Sequence, residues 1–247
     1  MEPLKLDREM KQGHRRGGFG IEILYPGVAL GAGDSGVGAI GHIDHAEIAP
    51  GHLVPMHSHK DDEILSYMRG GQMIHRDSEG HVAELSRDRL MMNAGQRFRH
   101  EERMGTAAPV SMLQIFLRPH AGGLAPKVQF HALAETYSHG AWRLLAGPAG
   151  APLEVRASVT VGDARLAEGQ QIGLPAAASE ELRLLYVFSG RVRLGAFDLG
   201  TGESLLFDGR ESAPILARQD SDLLLFGTDP QAQVFTGGMF SGNLLMR

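Results

Sequence analysis

The sequence predicts an all-β chain of two barrels, each built from the same antiparallel unit, and three observations carry that prediction. Chain-turning residues are abundant, with 33 Gly and 12 Pro in 247 residues, and helix-period patterning is sparse, which favours many short strands. Residues 21–118 read as short apolar stretches separated by Pro26-Gly27, residues 31–38, Ala49-Pro50-Gly51, Gly70-Gly71, residues 77–80 and Ala94-Gly95. The rhythm resumes over residues 151–236 and matches the first half. Residues 46–51 lie over 164–169, Pro55 over Pro175, Gly70 over Gly190, residues 64–68 over 184–188, and Leu90-Met91-Met92 over Leu205-Leu206-Phe207. A repeat of one antiparallel unit is a fold-level signal.

The expected division is linear: a first barrel over residues 1–119, a connection over 120–150 with room for a helical turn, and a second barrel over 151–247. The connection begins at Arg118-Pro119 and ends at Gly147-Pro148-Ala149-Gly150. A net charge of −5 argues against direct nucleic-acid binding, and the basic cluster between Lys5 and Arg16 reads as a solvated segment. No apolar run reaches the ~20 residues of a membrane span, and the first residues lack the apolar core of a signal peptide. The chain contains no cysteine, which excludes disulfides, thiolate metal sites and cysteine nucleophiles. The expectation is a cytoplasmic monomer without membrane contact.

All 12 histidines fall between His14 and His139, so imidazole chemistry belongs to the first half. His57 and His59 are two residues apart, and in a strand such a pair points to one face. His100 and Glu102 repeat that arrangement. Two such strands side by side inside a barrel would bring together three imidazoles and one carboxylate, a nitrogen and oxygen set that suits Fe(II), Mn, Ni, Cu or Zn. Where the repeat aligns His57 and His59, the second half has Ala177 and Ser179, and near His100 and Glu102 it has Pro214 and Leu216. The second barrel is therefore expected to keep the scaffold without the site.

The spacing Gly51, His57-x-His59, Glu63, Gly70 is the first motif of the cupin superfamily. The later stretch Ala94-Gly95-Gln96-Arg97-Phe98-Arg99-His100-Glu101-Glu102 resembles one cupin branch, the pirins, in which an Ala-Gly turn precedes a His-x-Glu pair. Residues 57–67, the stretch His75-Arg76-Asp77-Ser78-Glu79-Gly80 and the stretch Gln114-Ile115-Phe116-Leu117-Arg118-Pro119 resemble pirins as well. The resemblance is dense over residues 46–119 and thin beyond. Three departures stand out: Arg87-Asp88 lacks the usual Gly, Gln96-Arg97 replace small residues, and Glu101 stands where Ser is frequent. They imply a bulkier, more charged mouth.

Pirins are bicupins with one metal, usually iron, in the N-terminal barrel. The resemblance implies His57, His59, His100 and Glu102 as the metal ligands, with Glu63 beside the site or in the first sphere. It also implies a dioxygenase acting on quercetin or a similar enolisable aromatic with O2. In that reading Glu102 is the catalytic base that takes the flavonol 3-hydroxyl proton. Two alternatives stay open, a non-catalytic metal-binding regulatory or redox-sensing partner of another protein, and a non-oxidative cupin metalloenzyme.

Overall fold

In the computed structural model, which describes residues 1–246, strands take up the backbone hydrogen bonds and the three helical segments are single 3-10 turns. The strands are β1 (Leu4–Leu6), β2 (Gln12–Arg16), β3 (Phe19–Leu24), β4 (Ile40–Ile48), β5 (Leu53–His59), β6 (Asp62–Gly70), β7 (Met73–Asp77), β8 (Val82–Leu85), β9 (Arg89–Gly95), β10 (Phe98–Met104), β11 (Val110–Leu117) and β12 (Lys127–Ala132). They continue as β13 (Arg143–Gly147), β14 (Leu153–Glu154), β15 (Val159–Leu166), β16 (Gln171–Ile172), β17 (Leu182–Ser189), β18 (Arg191–Leu194), β19 (Phe197–Gly200), β20 (Ser204–Asp208), β21 (Ile215–Ala217) and β22 (Ser221–Thr228).

The chain forms two compact units, each a cupin-type barrel. The first takes residues 11–36, 40–136 and 233–247. It has a seven-stranded sheet in the order β12-β9-β6-β11-β4-β3-β2 and a four-stranded sheet in the order β5-β10-β7-β8. Strand alternation decides what faces inward. In β7, Met73, His75 and Asp77 are buried while Ile74 and Arg76 are exposed; in β10, Phe98, His100, Glu102 and Met104 are the buried set. The core combines Ile48, Met68, Met73, Met91, Met104 and Met112 with a second cluster of Ile64, Phe98 and Phe116. At the end of β9, Gly95 has φ +148° and a Cβ there would lie 2.5 Å from Pro126 Cα, so the turn into β10 requires glycine.

The second unit takes residues 1–10, 37–39 and 137–232. Its sheets run β1-β20-β17-β22-β15-β13-β14 and β16-β21-β18-β19. The shared order establishes the repeat: β9-β6-β11-β4 corresponds to β20-β17-β22-β15, and β5-β10-β7-β8 to β16-β21-β18-β19. Its core cluster is apolar, with Leu166, Leu185, Val187, Leu205, Phe207 and Leu223 fully buried. The counterpart of β5 is cut to the two residues of β16, and the counterpart of β10 turns Ile215 and Ala217 inward.

The residues group differently from the expected linear bounds. Residues 1–10, which supply β1, and residues 37–39 go with the second unit, residues 233–247 return to the first, and the expected connection divides, 120–136 with the first unit and 137–150 with the second. The expected helical turn in 120–150 does not form; β12 and β13 occupy that stretch. No helix among the described residues is long and apolar enough to cross a membrane.

Candidate metal centre

β5 and β10 pair antiparallel with His57 opposite His100 and His59 opposite Phe98, but the register slips between His100 and Glu102, which face His57 and Val54. Three steps along β5 thus match two along β10. That is a β-bulge, and it contains Pro55, a residue unable to donate to a ladder. The extra residue resets the alternation, so Val54, His57 and His59 all line one cavity with Glu102.

The expected residues converge, though unevenly. His57, His59 and His100 each offer a nitrogen within 4.8 Å of the other two. Glu102 joins through His100 and His75, which with it form a second group of the same tightness. The Nε2 atoms of His59 and His100 lie 2.9 Å apart. Two bare lone pairs at that distance repel, so a proton or a cation must lie between them. Two ligand atoms at right angles around an ion with ~2.1 Å bonds are about 3.0 Å apart, so the spacing suits an ion. His57 Nδ1 donates to the Pro55 carbonyl at 2.9 Å, leaving its Nε2 as an acceptor. His59 Nδ1 has no hydrogen bond within the usual limit and lies 3.6 Å from Asp62 Oδ2. Ring nitrogens turned to a carbonyl and a carboxylate are the usual surroundings of metal-binding imidazoles.

Glu102 is buried, and the Gln114 side-chain amide donates to both of its oxygens, at 2.9 and 3.1 Å. Burial raises its carboxyl to about 7, against the lowering effect of that hydrogen bond. Burial also lowers the His100 imidazole to about 2, with His59, His57 and His75 adding to the effect. His57 is lowered as well, by burial first. His100 is therefore neutral, as a cation requires of imidazole. The carboxyl holds its proton because no cation sits against it among the described side chains. The residues fit a divalent ion.

The cavity measures about 140 Å³ and is walled by Phe19, Ile21, Val54, Met112, Phe116 and Phe240, with Asp44 and Gln114 as polar members beside the cluster. Phe240 comes from the C-terminal segment. Its ring lies 5.0 Å from that of His59, and its backbone N–H donates to Asp62 Oδ1 at 3.0 Å. Among the described residues, Gln96, Arg97 and Glu101 do not line this cavity, and Glu101 pairs across the ladder with Arg76.

Glu63 takes a different position from the one expected beside the site. β6 turns Ile64 and Met68 into the barrel core, so alternation sends Glu63 to the opposite face, and the carboxylate near His59 is Asp62. The sequence reading missed Asp62, His75, Asp77, Asn93, Gln114 and Phe240. His75-x-Asp77 carried the same two-apart signal as the two ligand pairs. Phe240 carried none, because no sequence pattern announces that a distant tail seats on a barrel mouth.

The pirin family model matches residues 36–117, which include all four expected residues. A quercetin 2,3-dioxygenase of Escherichia coli is 26% identical over 199 residues, 79% of this chain and 84% of that protein. A pirin-like protein of Caulobacter vibrioides is 36% identical over 81 residues, 32% of this chain and 35% of the relative. The fold is that of the bacterial pirin YhhW of Escherichia coli, solved in complex with nickel(II), with a TM-score of 0.80 at 22% identity over 92% of this chain and 99% of that one. The family match spans the barrel that carries the histidine cluster, and over those residues the chain is similar to pirins.

Proposed function

We propose that the protein is a mononuclear metal-dependent dioxygenase of pirin type, acting on quercetin or a similar enolisable aromatic. The observation that carries the reading is the convergence of His57, His59, His100 and a buried Glu102 at one apolar cavity. These four residues would hold one divalent transition metal. The nitrogen and oxygen set favours Fe(II) and accommodates Mn, Ni, Cu or Zn. Such an ion, when bound, supplies Lewis-acid stabilisation of a substrate oxyanion and a place for dioxygen.

The remaining work falls to the chain. Glu102, which would be ionised with a cation bound, takes the acidic hydroxyl proton of the substrate, and Gln114 holds it facing the cavity. Phe19, Phe116 and Phe240 flank a planar ring and exclude water. The names of the Escherichia coli and other relatives as quercetin 2,3-dioxygenases support the substrate class. The test is oxygen uptake by the iron-loaded protein with quercetin. Uptake coupled to flavonol loss is expected, and Glu102→Gln at matched iron occupancy should turn over at least about 100-fold more slowly. No uptake with any flavonol would end the enzyme reading.

One observation favours a second reading. A cavity of about 140 Å³ is smaller than the roughly 300–1,000 Å³ that encloses a drug-sized ligand. A metal-binding regulatory or redox-sensing protein needs no such enclosure, and in that case the loaded protein binds metal and consumes no oxygen.

A further inference from the structure

His75 and Asp77 are fully or nearly buried polar residues next to the cluster, and the proposed reaction does not use them. They stand on β7 directly across the ladder from Glu102 and His100 respectively. His75 Nε2 lies 3.4 Å from Asp77 Oδ2. Asp77 is held in place by the backbone N–H groups of Glu79 and His81, each donating to Oδ1 at 2.9 Å, and by His81 Nδ1 at 2.9 Å from Oδ2. An ionised carboxylate only accepts, so the proton of His75 belongs on Nε2. Its Nδ1 is then a bare lone pair, and it faces His100 Nδ1 at 3.4 Å.

Two bare nitrogens would repel there, so the His100 proton belongs on Nδ1. A further neighbour agrees. The Asn93 amide faces the same nitrogen at 3.4 Å through Nδ2, while Asn93 Oδ1 lacks a partner. Turned over, that amide would place its oxygen where a donor stands. With Nδ1 protonated, the lone pair of His100 is on Nε2, the atom that meets His59 at 2.9 Å.

We infer that Asp77 and His75 are positioning residues that fix His100 as its Nδ1–H tautomer and so reserve its Nε2 lone pair for a cation. The inference deepens the metal-binding part of the proposed function and rests on it. The other possibility, that His75 is itself a ligand through the group it forms with His100 and Glu102, is separated by the test.

The test reads the tautomer and the affinity independently. Metal-free protein labelled with ¹⁵N-histidine, examined by long-range ¹H–¹⁵N correlation, should show His100 protonated at Nδ1 and bare at Nε2. Asp77→Asn keeps an oxygen for the Glu79 and His81 amides but offers an N–H to His75 Nε2. That reverses the His75 proton and, through it, the His100 tautomer, as a carboxylate-to-amide change does in a catalytic triad. Ni(II) alone, titrated against a chelator, should bind about 10–100-fold more weakly to both Asp77→Asn and His75→Ala. A wild-type His100 protonated at Nε2, or affinities within about twofold for both variants, overturns the inference. So does complete metal loss in His75→Ala with full affinity in Asp77→Asn, which would make His75 a ligand. Wild-type protein that binds no Ni(II) while showing the expected tautomer would instead sink the metal reading.

Discussion

A carboxyl buried away from water keeps its proton longer than a solvated one, and burial raises Glu102 from 4.5 to about 7 against the lowering effect of the Gln114 amide. Metal binding needs it ionised. Below pH 7 each binding event must therefore displace one proton from Glu102, whereas His100, lowered to about 2 by burial, has none to lose at pH 6. Calorimetric titration with Ni(II) at pH 6, in buffers of different ionisation enthalpy, should report release of about one proton, falling toward none at pH 8. No release at pH 6 would remove Glu102 from the ligand set. The neighbouring acid makes a sharper contrast. Glu102→Ala should deplete metal, while Glu63→Ala should leave occupancy unchanged, because Glu63 points to the other face of β6. Elemental analysis of the two variants, purified side by side, decides it, and the reverse ranking would return the site to the general cupin pattern.

At the level of elements, the two-apart pairs were legible because a strand repeats every two residues, which is why His57-x-His59 and His100-x-Glu102 could be placed before any coordinates. Two breaks in that periodicity were not. The bulge around Pro55 resets the phase of β5, and Asp61 adopts φ +56° between β5 and β6. In the run Asp61-Asp62-Glu63 a sequence alone cannot say which acid faces His59, because the left-handed residue shifts the count by an amount only the turn decides. The C-terminal segment was equally hidden. Asp62 accepts from the backbone N–H groups of Phe240 and Ser241 and from the Ser241 hydroxyl, the last two at 2.8 Å, while His42 Nδ1 lies 3.1 Å from the Phe240 carbonyl. Hydrogen bonds to a charged group are worth roughly 1.5–3 kcal/mol each. Asp62→Ala should therefore speed amide exchange at Phe240 and Ser241 by about tenfold or more, and weaken Ni(II) binding through the lost neighbour of His59. Unchanged exchange at both amides would show that the tail is held by other contacts.

Across the whole molecule, one unit is used twice and only one copy carries chemistry. The repeat was readable from Gly70 over Gly190 and from the matching apolar runs, and four strands of each large sheet and all four of each small sheet correspond in order. What the sequence could not place were the chain ends, since β1 serves the second unit and residues 233–247 the first; pairing of remote segments leaves no local pattern. The second barrel closes over leucines and Phe207 where the first holds imidazoles. Phe207→Ala should cost about 3–5 kcal/mol in the unfolding of that unit, and metal content per folded chain should not change. Loss of metal in that variant, with the first unit still folded, would contradict the separation of roles. The central claim is that one ion sits among His57, His59, His100 and Glu102, and anomalous diffraction from crystals of Ni(II)-loaded protein tests it most directly. The account predicts a single strong peak per chain, within bonding distance of those four side chains and with none in the second barrel. A peak coordinated by His75, by Glu63 or by the second barrel, or no peak at full Ni(II) loading, would contradict it.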